Sequence, residues 1–317
     1  MPGHVDDHTF RTREGKRLNR TGDSLAGRLR AMNYPAPQYA LVNGIRIAYE
    51  TAGSGFPLLM LHGFPRTHRT WEKMTPMLTE RFTLIMPDRR GYGDSDRGSA
   101  PQAYENSSMA SDMLAVMDHL GIVDFMVVGH DKGMPTARRV ASDNSGRVKG
   151  AVLLDGMPEG VNLSRDKDTS GRAWYFDFFR QRRVAEQLIG QNPQLFFSLF
   201  LERNPHLTAE EHAYYVSMFS RRGSVDAILA DYRAGLEVDG AYWQAQAAAG
   251  IRMTVPILAL WGGRGPTANA PVLDAWRQVA EDVRGEVVEN ASHYVQEEQP
   301  EFVAGRILAF VDELGIQ

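Results

Sequence analysis

Phe125-Met126-Val127-Val128-Gly129-His130-Asp131-Lys132-Gly133 is the stretch from which the rest of the chain is read. Four apolar residues form a strand-like run, Gly-x-Asp-x-Gly follows, and a helix-compatible stretch begins near Pro135. Strand, glycine-flanked turn and helix, in that order, present the central side chain at the carboxyl end of a strand. Serine is the usual residue at such a turn, and here it is Asp131. A carboxylate in that place attacks a carbon electrophile and becomes an alkyl ester, which water must then cleave.

The segments around this turn alternate strand and helix. Tyr39 to Val42 and Ile45 to Tyr49 flank Asn43-Gly44, a strong hairpin signal. Strands are predicted at 57–61, 82–86, 124–128, 148–154, 255–260 and 285–288, with helical spacing over 70–81, 107–120 and 300–314. Short apolar strands alternating with helices imply an α/β fold with a mostly parallel central sheet flanked by helices. Between Asp155 and Pro256 the alternation stops, and residues 158–245 read as helical and rich in aromatic residues. That pattern predicts an inserted helical cap over the strand ends, where open α/β sheets bind ligands. The expected organisation is an N-terminal extension over 1–35, a core over 36–157 and 246–317, and a cap over 158–245. Most cap aromatics are read as the packed interior of the cap.

Composition narrows the chemistry. The 317 residues carry a net charge of −4, which argues against nucleic acid or an anionic membrane as the main partner. The chain has no cysteine, so disulfides, thiolate nucleophiles and cysteine-held metals are excluded. No run reaches the roughly 20 apolar residues a membrane span needs, and residues 1–20 show no secretory pattern. A cytoplasmic location is the default expectation. Neither a metal nor a cofactor is expected, and a homodimer is left open.

Four ordered segments carry a family resemblance: His62-Gly-Phe-Pro65, Asp88-Arg-Arg-Gly-Tyr-Gly-Asp-Ser95, Gly129-His-Asp-Lys-Gly133 and Asn290-Ala-Ser-His293. Together they resemble the α/β-hydrolase superfamily from about residue 38 onward. Within it the aspartate elbow is similar to the branch that holds epoxide hydrolases and the dehalogenases of haloacids and haloalkanes. The resemblance implies that His293, late in the chain, is the base for water. It also implies main-chain N–H donors at Phe64 and Lys132 for the developing oxyanion. The acid that orients the histidine often follows the strand that here reads Ile257-Leu-Ala-Leu-Trp261-Gly-Gly-Arg-Gly265. No Asp or Glu occurs from Ile251 through Leu273, so that slot is empty. Asp155, at the end of the preceding strand, is assigned to it, an ion pair without a catalytic role being the alternative. The Asp88 to Ser95 segment reads as structural.

Fluoroacetate dehalogenases give the most similar pattern, and they too place the acid after the earlier strand. They use Asp-Arg-Gly-x-Arg at the elbow, with two arginines that clamp the substrate carboxylate. This chain has Asp131-Lys132-Gly133-Met134-Pro135, and proline donates nothing. Where their cap supplies histidine and tryptophan, the matching stretch is Trp174-Tyr175-Phe176, with tyrosine in the histidine position. Epoxide hydrolases of this fold hold the ring oxygen with cap phenols. Tyr232 matches the later cap tyrosine and Tyr175 is the second candidate, with Trp174 and Phe176 expected to line the substrate site. The expected activity is opening of an apolar or aromatic epoxide to a vicinal diol, through an ester on Asp131 cleaved by His293-activated water. A haloacid or haloalkane dehalogenase is the alternative, and a binding protein that has lost turnover is the third reading.

Overall fold

Asn43 and Gly44 adopt positive φ angles of 49° and 76° and join the first two strands, β1 (Gln38–Val42) and β2 (Ile45–Ala52). Positive φ at both central residues is what a tight hairpin turn needs to match strand twist. The remaining strands are β3 (Phe56–Leu61), β4 (Phe82–Pro87), β5 (Phe125–His130), β6 (Val148–Leu154), β7 (Ile257–Gly262) and β8 (Val283–Val288). They form one sheet in the order β1-β2-β4-β3-β5-β6-β7-β8, parallel from β4 to β8 and antiparallel at the β1–β2 and β2–β4 pairings. The computed structural model describes residues 36–98, 100–161 and 174–316. The expected extension over 1–35 lies outside the described residues, as does 162–173 of the expected cap.

Alternation along each central strand divides the core between the two faces. Phe125 and Val127 pack on one face with Met113, Val116, Ala137, Val140 and Trp276. Met126 and Val128 pack on the other with Trp71, Leu78, Val303, Ile307 and Phe310. Each fully buried Val, Leu, Ile, Phe or Met side chain among them contributes about 1.5–3 kcal/mol relative to exposure. The sheet therefore sits between two helical layers, as the sequence pattern requires.

One predicted element differs. In place of a helix over 70–81 there are two short turns, a 3₁₀ turn His68–Trp71 and a helical turn Thr75–Leu78. Pro76 falls in the first turn of the second segment, where its missing N–H does no harm. Inside one continuous helix the same residue would remove a bond and clash with the preceding turn.

Between β6 and β7 the described chain is helical: Trp174–Arg180, Val184–Gln191, Pro193–Leu201, Ala209–Phe219, Ser224–Ala234 and Gly240–Ala248, with a π turn at Gly235–Asp239. Residues from Pro37 onward form one compact unit that includes these helices. No helix among the described residues is long and apolar enough to cross a membrane.

Candidate active site

Five strand ends meet at one place. Asp131 follows β5, Asp155 follows β6, His62 to Phe64 follow β3, Gly262 ends β7 and His293 lies in the loop after β8. All are carboxyl ends of parallel strands, the usual ligand position in such sheets.

The elbow is tight because of its glycines. A Cβ on Gly133 would lie 2.2 Å from the Leu61 carbonyl oxygen, and one on Gly63 would lie 2.3 Å from the Asp131 Cβ. The left-handed backbone falls instead on Asp131 itself, with φ of 49°, and Asp155 shares it at 45°. A non-glycine residue there costs about 1–3 kcal/mol and persists where surrounding bonds over-determine it. Those bonds are present. The Phe64 N–H donates to Asp131 Oδ1 at 2.7 Å, and His293 Nε2 donates to Oδ2 at 3.2 Å. His293 Nδ1 lies 2.5 Å from Asp155 Oδ2. Asp155 Oδ1 accepts from Thr267 Oγ1 at 2.5 Å and from the Gly262 N–H at 3.0 Å.

Asp131, His293 and Asp155 thus form one hydrogen-bonded chain. A Cβ on Gly265 would approach Asp155 Oδ1 to 3.3 Å, so the carboxylate from β6 reaches the slot that the β7 loop leaves without an acid. Burial opposes charge on His293, yet the two flanking carboxylates push its pKa up to about 10. Burial likewise opposes ionisation of Asp131, while the hydrogen bond and charge of His293 hold it well below the usual carboxylate range. Both shifts favour an ionised carboxylate paired with an imidazolium.

Behind this chain stand residues with supporting contacts. His130 donates from Nε2 to the His293 carbonyl at 2.8 Å and accepts at Nδ1 from Gln296 at 3.2 Å. Burial lowers its pKa to about 4, so it stays neutral and keeps both roles. Asp88 accepts from the His68 N–H and ring, and Ser95 Oγ donates to its carbonyl, which fits the structural reading of that segment. Arg89 donates to the His62 carbonyl at 3.0 Å and so braces the loop that carries Phe64.

The helical insertion closes over Phe64. Its ring lies 5.2–6.3 Å from those of Phe179, Phe197, Phe200, Phe219 and Tyr232. Phe179, Phe197 and Phe219 are buried, as a packed interior requires. Tyr232 is also buried, and its ring meets Tyr175 edge-on at 5.8 Å and Phe176 at 5.5 Å. Burial, then Tyr175, then the Asp131 carboxylate raise the Tyr232 pKa well above a phenol's ordinary value, so it keeps its proton. Trp174 stands apart: it is 48% exposed, and its ring meets Tyr175 and Phe178.

Lys132 turns its side chain to the insertion. Its Nζ lies 3.0 Å from Asp231 Oδ1 and donates to the Asp231 carbonyl at 3.1 Å. Sequence reasoning passed over Asp231, Thr267, His130 and Tyr294, whose ring lies 4.9 Å from that of His293. Only Asp231 left a signal, as the neighbour of Tyr232.

Residues 57–300 match the family described as alpha/beta hydrolase fold. The chain belongs to that family. It is 36% identical over 281 residues to a soluble epoxide hydrolase of Corynebacterium sp. (strain C12), covering 86% of this chain and 95% of the relative. It is 31% identical over 208 residues to a fluoroacetate dehalogenase of Burkholderia sp., covering 62% and 68% of the two chains. The solved structure of the epoxide hydrolase CorEH without ligand superposes with a TM-score of 0.78 at 33% identity, over 88% of this chain and 99% of that chain. This α/β hydrolase thus carries the resemblance predicted from its four motifs.

Proposed function

We propose that this α/β hydrolase opens an uncharged epoxide to a vicinal diol, with the helices from Trp174 to Ala248 acting as a cap over the reaction. The observation that carries the reading is Tyr232: a buried, protonated phenol in edge contact with Tyr175, packed on the residue whose amide binds Asp131. Likeness to epoxide hydrolases in sequence and in solved structure supports it.

In the first step an Asp131 oxygen forms a bond to an oxirane carbon. The ring C–O bond breaks, its electron pair goes to the ring oxygen, and that oxygen takes a proton from a phenol. Loss of the Asp131 charge removes one of the two supports of the imidazolium, so the proton of His293 is released and returns through water to the phenolate. His293 is then neutral and takes a proton from water. The hydroxide so formed attacks the ester carbonyl, whose oxyanion meets the amides of Phe64 and Lys132. Collapse breaks the bond from the carbonyl carbon to the diol oxygen, that oxygen takes the proton of the new Asp131 carboxyl group, and the carboxylate–imidazolium pair is restored, so protons balance over the cycle. Asp155 holds the ring of His293 and stabilises its charged form.

The dehalogenase reading has one observation in its favour, the fluoroacetate dehalogenase among the relatives. Against it, the Lys132 ammonium is engaged by Asp231 and Pro135 offers no donor, leaving no elbow cation for a substrate carboxylate. Turnover of styrene oxide and halide release from fluoroacetate and 1-chlorobutane separate the two. Diol formation that falls about 10²-fold in Tyr232→Phe is expected. Halide release alone, unchanged by Tyr232→Phe, would overturn the proposal.

A further inference from the structure

Asp231 is buried where its helix meets two core segments, the elbow and the loop after β4. Lys132 from the elbow reaches its Oδ1 and its carbonyl, Arg89 from the loop after β4 donates to Oδ2 at 3.0 Å, and Tyr92 donates to the same oxygen at 2.6 Å. The next residue along the helix Ser224–Ala234 is Tyr232, whose ring lies 5.0 Å from the Lys132 Nζ. Room for the ammonium is left at Gly235, where a Cβ would come within 3.0 Å of it. Arg89 takes part twice, since the same guanidinium holds the His62 carbonyl and the Asp231 carboxylate. One cluster therefore sets both the loop that carries the Phe64 amide and the helix that carries the phenol.

We infer that Asp231 is a positioning residue: clamped by Lys132, Arg89 and Tyr92, it fixes Tyr232 over Asp131, and the Lys132 side chain serves this clamp instead of the substrate. The inference rests on the epoxide reading of the site. Its physical basis is reach. A buried carboxylate held by two cations and a hydroxyl has almost no freedom, and the neighbouring phenol inherits that fixity. An error of about 1 Å in placing a reacting group costs on the order of 10²-fold in rate. Asp231 touches neither substrate nor reacting atoms, so its effect must pass through the groups it positions, Tyr232 first among them, and fall most heavily on the step that uses the phenol.

That restriction supplies the test. Rapid-quench kinetics with styrene oxide separate formation of the alkyl-enzyme from its hydrolysis, in the parent chain, Asp231→Asn, Lys132→Met, Tyr232→Phe and the Asp231→Asn/Tyr232→Phe double variant. The expected result is that Asp231→Asn and Lys132→Met slow alkylation by about 10²-fold and slow ester hydrolysis far less. The double variant should alkylate no more slowly than Tyr232→Phe alone, because coupled residues are non-additive. Lys132→Arg, which keeps a cation for Asp231, should regain part of the alkylation rate. Alkylation untouched by both single changes, losses that multiply in the double variant, or equal losses in both steps would each overturn the inference. If Asp231→Asn does not fold, the cycle is run with Lys132→Met and Tyr232→Phe. If the parent chain is alkylated by fluoroacetate and by no epoxide, the epoxide reading fails by itself. The same cycle with fluoroacetate then still decides whether Asp231 acts through Tyr232.

Discussion

His293 lies between two carboxylates, and the position of its proton sets the order of events in the proposed cycle. Its pKa is pushed up to about 10, against burial, by Asp131 and Asp155, while Asp131 is held well below the usual carboxylate range. The raised histidine contributes stability that is fully present below 6.5 and lost as pH rises through about 10. The depressed carboxylate contributes stability present above 3.8 and lost only as pH falls through its lowered pKa. The sign for the carboxylate carries over to catalysis. Alkylation of the enzyme should stay constant as pH is lowered through about 4, where an ordinary carboxylate takes up its proton. It should also stay constant as pH rises through about 10, because the first step takes its proton from the phenol and not from the imidazolium. Rapid-quench profiles of the first step check this, and a fall centred near about 4 would contradict it. Asp131 and His293 are legible in the sequence as single residues because each stands at a strand end in a recognisable segment. Asp155 is legible through an absence, the acid-free run from Ile251 to Leu273.

At the scale of elements, the loops are held by close approach as much as by hydrogen bonds. A Cβ on Gly262 would lie 1.7 Å from the Ser292 carbonyl oxygen, so the end of β7 and the histidine loop fit only with glycine there. Gly262→Ala should cost about 1–3 kcal/mol through overpacking and lower turnover by about 10²-fold by displacing His293. Gly44→Ala is the control. Its Cβ meets nothing within 4 Å, but φ is +76°, so it should cost about 1–2 kcal/mol of strain and leave turnover unchanged. Thermal unfolding together with steady-state assays distinguishes the two cases; equal turnover in both variants would refute the loop argument. Most elements are visible in the sequence through their periodicity. The segment over 70–81 is the exception, since apolar spacing suggests one helix and Pro76 imposes two turns.

At the scale of the whole molecule, the site is assembled from residues far apart in the chain, and this limits what a sequence discloses. Lys132 and Asp231 are 99 residues apart, and nothing local to either reveals the pairing. Read alone, Lys132 suits a substrate anion as well as an internal partner; only folding of the helices after β6 against the elbow brings Asp231 to it. The same holds for Phe64, whose amide is legible from its motif but whose ring becomes the seat of aromatics from the helices after β6 only in three dimensions. The arrangement as a whole exists, in the proposed reading, to form and then cleave an ester on Asp131. Single turnover of styrene oxide in oxygen-18 water, with enzyme in excess, tests this most directly. The predicted result is one labelled oxygen in the Asp131 carboxylate and none in the first diol released. Label in that diol, with none on Asp131, would mean direct attack by water and would contradict the covalent scheme.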